Sequence, residues 1–453
     1  MKKIVSVLSA AALSLSLIAC SNGEATDKDA GKEDKIKLTY ANWNLNSEEE
    51  INIEKLMIKE FEKQNKNIDI VIDESQDPKD WNGSLAASAS AGKLPDVFMM
   101  HNIPSSYGND WLLDITEFTK NDKEWSTIAP SVREAVAIND KTYAVPFAQH
   151  MAGYFINKDL FNQENLDVPK YGWSIDEFTS SVKSLTNLQK NMIGLGNNDT
   201  IVDWYPNAAS DQLGYYTYDG EKYNLNSKEF IEGVNLARDL SKNGMVYETL
   251  PAETKAQFDG EYQSDVFKAG QMGVFWDATW AITDFTDLAS IDWDFVGVPG
   301  GKNIIINDYL GISATTKEKE AAYEFAKWMS FSKEGFMKRM DLAEENEKAL
   351  STLPISTDQE ILDKYFANVD VPGLLEAYEN IDKAVVEPVK SVPGYIESRW
   401  DATTGLKVGD KENATIGDII FNSVQGDVKI EDYTNQLNEL ANKKHEEAKK
   451  SMQ

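Results

Sequence analysis

The chain has 453 residues, with 75 Asp and Glu against 45 Lys and Arg, a formal net charge of −30. That balance excludes the basic field needed to hold nucleic acid or an anionic membrane surface. One cysteine excludes an intramolecular disulfide, so stability has to come from burial, and the length allows two or more domains.

Lys2-Lys3 followed by the apolar run 4–19 has the layout of a secretory signal peptide. The run is short of the about 20 residues of a membrane span, and no later segment reaches that length, so a soluble body is expected rather than a channel or permease. Leu17-Ile18-Ala19-Cys20 resembles a bacterial lipobox, which implies cleavage before Cys20 and lipidation of that residue. Residues 20–35 contain no apolar side chain larger than Ala or the anchor Cys, so they read as a flexible tether. The expected location is outside the cytoplasm, on the outer face of the cell membrane, with membrane contact through the N-terminal lipid only.

Residues 36–40 alternate Ile36, Leu38 and Tyr40 with polar residues, a strand ending near Trp43. Ser47–Glu50 has the spacing of a capping box and predicts a helix with Ile53, Leu56, Met57 and Phe61 inward. A strand at 68–73, Trp81 with a small-residue helix over 85–91, and a strand at 97–100 emptying into His101-Asn102 follow. Residues 111–119 read as another helix. This alternation indicates βαβ units.

Residues 143–161 are apolar on both sides and contain Pro146, Gly153 and, within them, His150. A long strand with a proline suits a segment leaving one sheet and entering another. A capping box at Ser174–Glu177 opens a helix over 175–187, and Trp204-Tyr205-Pro206 reads as exposed aromatics. A helix over 230–243 stops at Gly244. Residues 293–299 and 303–315 read as strands, the second a return crossover passing Tyr309. Helices are predicted over 317–331 and 432–450, with Glu397-Ser398-Arg399-Trp400 between them.

The organising stretch is 267–280, FKAGQMGVFWDATW. A helix end at Ala269, Gly270 as the turn residue and a buried strand over 272–275 lead to Trp276, Asp277 and Trp280 at a strand mouth, where ligands bind in open α/β sheets. An indole face suits sugar C–H groups and a carboxylate accepts sugar hydroxyls. The same residues could also serve as core indoles and a helix N-cap. Trp276, next to the strand, is expected to pack.

The lipobox at Cys20, AGKLPDV at 91–97, INKD at 156–159, residues 267–280 and residues 308–315 with the helix after them resemble, in this order, the extracellular solute-binding proteins of bacterial ABC importers, in the sugar-binding branch. The resemblance implies an α/β, two-lobed type II periplasmic-binding-protein fold with hinge-linked lobes and a cleft. It implies lobes of residues 36–147 with 311–355 and of 148–310 with 356–453. It implies carbohydrate contact by Trp43, Trp81, His101, Asn102, His150, Asp203, Trp204, Tyr205, Asp277, Trp280, Tyr309, Arg399 and Trp400, delivery to permease subunits, and a monomer without catalytic residues, cofactor or metal. His101 and His150, with no second cysteine and no close carboxylate cluster, make a poor zinc signature.

Two other readings stand beside it. A surface glycoside hydrolase would need two apposed carboxylates; against it, no G-x-S-x-G, H-E-x-x-H or P-loop is present. The same scaffold could bind a polyamine, an organic acid or a chelate. The 11 Trp and 18 Tyr suit an extended sugar better than a small ion.

Overall fold

In the computed structural model, which describes residues 35–46, 51–288, 290–350 and 352–453, strands and helices alternate around two cores. Cys20, the signal peptide, most of the tether and the Ser47–Glu50 capping box lie outside the described residues. The first long helix, Ile53–Gln64, is capped instead by Asn52, whose side chain accepts the Lys55 N–H.

In the first core, Ile36–Ala41 lies parallel between Ile68–Ile72 and Val97–Met100. Val97–Met100 is buried at every position, as a strand covered on both faces must be. The helix Lys319–Met329 sets Phe325 edge-on to Tyr40 at 4.9 Å and to Phe61 at 5.1 Å. Asp96 ties the layers by accepting from the Thr39 N–H at 2.8 Å and the Thr316 hydroxyl at 2.6 Å.

Val145–Asn157 runs 13 residues from this core into the second. At its start Val145 and Pro146 oppose Leu310 and Tyr309; farther on, Ala152–Ile156 pair antiparallel with Met272–Ala278. The strand Ile304–Ile312 returns antiparallel beside it, joining Val385–Val386 at one end and Val97–Met100 at the other. The register shifts between Asn307, opposite Gln149, and Tyr309, opposite Pro146, so the extra residue lies on the long strand, where Phe147 and Ala148 face Asp308 alone as the ladder passes between cores. Such a bulge bends a strand and increases its twist.

The second core lies against Ile193–Leu195 and Met272–Ala278, with Phe178, Trp204, Phe230, Ile419 and Leu437 buried from five helices. Two expectations are corrected. Residues 111–115 are not helical, because Leu112 bridges Ser313 and the Leu113 N–H donates to Ile312; the helix begins only at Thr116. Trp204-Tyr205-Pro206 is not an exposed loop but part of the helix Ile201–Ala209, with Trp204 fully buried.

Candidate functional site

A cavity of about 940 Å³ opens where Met272–Ala278, Ile304–Ile312, the Asn197–Asp203 segment and the Arg399-Trp400 turn converge. A second cavity, about 750 Å³, is lined by Trp43, Phe147 and Arg339 from the first core. Trp280 borders both.

The Trp280 orientation is fixed by its own turn. Its Nε1 donates to Asp277 Oδ1 at 2.7 Å, and the same oxygen accepts the Ala278 N–H at 2.8 Å. His150 meets the ring edge-to-face at 5.1 Å, yet 46% of the residue stays exposed. The result is a clamped indole with open surface, in contact with a carboxylate whose pKa burial pushes up.

Arg399 and Trp400 lie in a π-turn, Glu397–Asp401, closed by the Ala402 N–H donating to Glu397 at 2.9 Å. Arg399 donates to both Asp203 oxygens, at 2.7 and 3.3 Å, and its guanidinium carbon lies 4.9 Å from the Tyr216 ring and 5.3 Å from the Trp400 ring. Burial pushes the Asp203 carboxyl up while Arg399 pulls it down. Burial also opposes the Arg399 charge, and Asp203 more than offsets that, so the guanidinium stays charged. Trp400 rests edge-on against Tyr395 at 5.4 Å and remains 37% exposed.

On the other wall Trp43 stacks on His101 with ring centres 4.6 Å apart. Burial, then Lys390, lowers the His101 pKa; burial lowers that of His150 to about 4. Both imidazoles are therefore neutral at pH 7. Lys390 itself is paired with Asp308 at 2.5 Å. Asn102 is engaged structurally: its Oδ1 accepts the Ser105 N–H at 2.8 Å and its Nδ2 donates to Val389 at 3.2 Å.

Of the expected residues, Asp203, Asp277, Trp280, Arg399 and Trp400 meet on one cavity, and Trp43 lies on the neighbouring one. Seven others line neither cavity: Trp81, Trp204, Tyr205, Tyr309, Asn102, His101 and His150. Trp81 is buried with its indole N–H donating to Met99 at 2.8 Å; Trp204 is buried with its indole N–H on the Tyr154 hydroxyl at 2.9 Å. Tyr309 is buried in the first core, and Tyr205 leans on Trp204 and against Gly233. His101 and His150 stand beside the two indoles rather than on the walls.

Three wall residues were missed. Trp276 packs as expected, edge-on to Tyr154 at 5.2 Å and against the second core, but the strand continues through Ala278, so the residue lies within the ladder and also borders the cavity. Phe421, 62% exposed, is an apolar residue off the buried stripe of Ile416–Gln425, a signal visible in sequence. Glu387 is a lone carboxylate inside Val385-Val386-Glu387-Pro388-Val389. Its N–H donates to Ile305 at 2.8 Å, and burial pushes its carboxyl up to about 7. Among the described residues no cluster of His, Cys, Asp and Glu could hold a metal ion, and no helix is long and apolar enough to cross a membrane.

Residues 46–335 match the family of bacterial extracellular solute-binding proteins. A maltotriose-binding protein of Pyrococcus abyssi is 23% identical over 304 residues, 64% of this chain and 62% of that protein. A multiple sugar-binding protein of Streptococcus mutans is 25% identical over 173 residues, 38% of each chain. The chain thus spans less than two thirds of either relative. An ABC substrate-binding protein of Listeria monocytogenes, solved with cycloalternan, superposes with a TM-score of 0.66 at 22% identity, over 90% of this chain and 99% of that one. A cyclic α-maltosyl-1,6-maltose binding protein of Arthrobacter globiformis does so with a TM-score of 0.66 at 16% identity, over 91% and 100%. The fold is therefore the two-lobed periplasmic-binding-protein architecture, and the family match covers more than half of the sequence. The chain belongs to the bacterial extracellular solute-binding proteins.

Proposed function

We propose that this protein is a lipid-anchored receptor that captures a carbohydrate, an oligosaccharide, by lobe closure and delivers it to the permease of an ABC importer. The observation that carries the ligand class is the clamped Trp280 indole beside Asp277, inside a cavity that also holds Trp276 and Trp400. Flat aromatic faces with hydroxyl acceptors at their rim are what a pyranose ring requires, and charge-assisted hydrogen bonds orient it. The sugar-binding names of the relatives and the sugar-bound neighbours support the same class. Lobes of residues 36–147 with 311–355 and of 148–310 with 356–453 would turn about Val145–Asn157 and Ile304–Ile312, bringing the Trp43 wall toward Trp280. Cys20 would carry the lipid and residues 20–35 would tether a monomeric body to the outer face of the cell membrane.

Intrinsic tryptophan fluorescence against mono- and oligosaccharides tests the ligand class. A saturable change that Trp280→Ala abolishes supports it; a flat response to every glycan overturns it. The carboxylates around the cavity favour one second reading, a cationic solute such as a polyamine, and spermidine in the same panel separates the two.

A further inference from the structure

The cavity that holds Trp276, Trp280 and Trp400 is lined by five carboxylates, those of Asp199, Asp203, Glu248, Asp277 and Glu387, and among the described residues by one cation, Arg399. That cation is already ion-paired: its Nε and Nη2 donate to the two oxygens of Asp203. Glu248 has Lys255 at 3.3 Å, and the nearby Lys390 is paired with Asp308 at 2.5 Å. Asp199, Asp277 and Glu387 form no ion pair among the described residues. The site therefore offers hydroxyl acceptors in number and no uncommitted cation.

This imbalance acts on a ligand in three ways. A sugar hydroxyl donates to a carboxylate and gains a charge-assisted bond. An ammonium group gains the same bond together with the local field. A carboxylate or phosphate on the ligand loses its water without finding a partner, and it approaches like charges.

We infer that the cleft sorts glycans by charge: neutral and amine-bearing oligosaccharides enter, those bearing a uronate or phosphate are turned away, and Asp277 and Glu387 set the preference. The inference rests on the carbohydrate reading above. Asp277 lies directly beside the Trp280 platform. Glu387 is held at the crossing of the long strands by its N–H bond to Ile305, next to the Arg399–Asp203 pair. Asp277 and Glu387 line the same cavity as Trp280 and Trp400.

The test uses maltotriose, isomaltotriose and raffinose, each with its amino-deoxy and its uronate counterpart, titrated calorimetrically at about pH 8, where Glu387 is ionised, into the wild-type protein, Glu387→Gln and Asp277→Asn at low and high salt. In the series that binds, the uronate is expected to be weaker than its neutral parent by about tenfold or more, with the amine at least equal to the parent. Either amide variant should narrow the uronate gap, and so should salt, whereas a merely structural role for these residues would lower all affinities together. A uronate bound as tightly as its parent, or a gap that neither variant nor salt moves, overturns the charge rule and leaves the carbohydrate reading intact. Silence toward every member, neutral parents included, overturns both.

Discussion

Asp203 and Arg399, 196 positions apart, meet through two hydrogen bonds of 2.7 and 3.3 Å, with side chains that are 8% and 6% exposed. The pair links the helix Ile201–Ala209 to the π-turn that presents Trp400, so it is both a stability element and a support for the platform. Removing one partner leaves the other charge buried and alone, which costs about 3–5 kcal/mol. Arg399→Met and Asp203→Leu are each expected to lose stability on that scale in urea unfolding, and the double variant to lose less than their sum. Arg399→Met should also weaken ligand binding, because the guanidinium no longer packs beside the Trp400 ring.

Trp280→Ala should weaken carbohydrate binding by about 1–2 kcal/mol, roughly tenfold in Kd. The thermal midpoint should scarcely move, because nearly half of the residue is already in water. Trp280→Phe keeps a stacking face but loses the indole N–H bond to Asp277, so calorimetry should place it between the two.

The buried indoles should behave in the opposite way. Trp81→Phe and Trp204→Phe each remove an internal hydrogen bond, leaving the Met99 carbonyl or the Tyr154 hydroxyl short of a partner. A loss of about 1–3 kcal/mol in unfolding free energy is expected, with ligand affinity unchanged for whatever fraction is folded. A selective loss of affinity in either variant would return that residue to the site.

These tryptophans show what was and was not legible in the sequence. Periodicity, capping residues and glycine breaks located most strands and helices, because those signals are local: Ser174 and Glu177 do form their capping box, and Gly270 does turn the chain with a positive φ. Whether an indole faces a core or a cleft depends on which neighbours fold over it, so Trp81 and Trp204 looked like Trp280. Asp203 and Arg399 were each singled out, but their union required chain segments far apart in sequence to converge. Trp276 packs as its sequence suggests, but its place on the cavity wall was not legible because the strand runs three residues past Phe275, and that of Glu387 was not because only the crossing strands give its carboxylate an enclosed setting.

Glu387 should make stability fall as pH rises. Its carboxyl is pushed from an ordinary 4.5 to about 7, first by burial, with Lys390 opposing and Asp203 adding to the shift. It also faces the hydroxyls of Tyr215, Tyr309 and Tyr395, which burial keeps protonated. The folded protein therefore holds a proton that the unfolded chain releases. The stabilisation is complete below pH 4.5 and is lost as pH rises through 7, a change of about 3 kcal/mol. His150 works the other way: burial lowers its pKa from 6.5 to about 4, so folding is favoured as pH rises through that interval. The two slopes oppose each other below pH 6.5, and wild-type stability alone cannot separate them. The difference between wild type and Glu387→Gln can, because His150 is common to both. Urea unfolding from pH 4.5 to 8 should show the glutamine variant gaining on the wild type, most steeply at about pH 6, midway between the two values, and levelling off above 7. Parallel curves would mean that Glu387 is ionised in the folded protein throughout, with solvent or a counter-charge reaching it in the cleft.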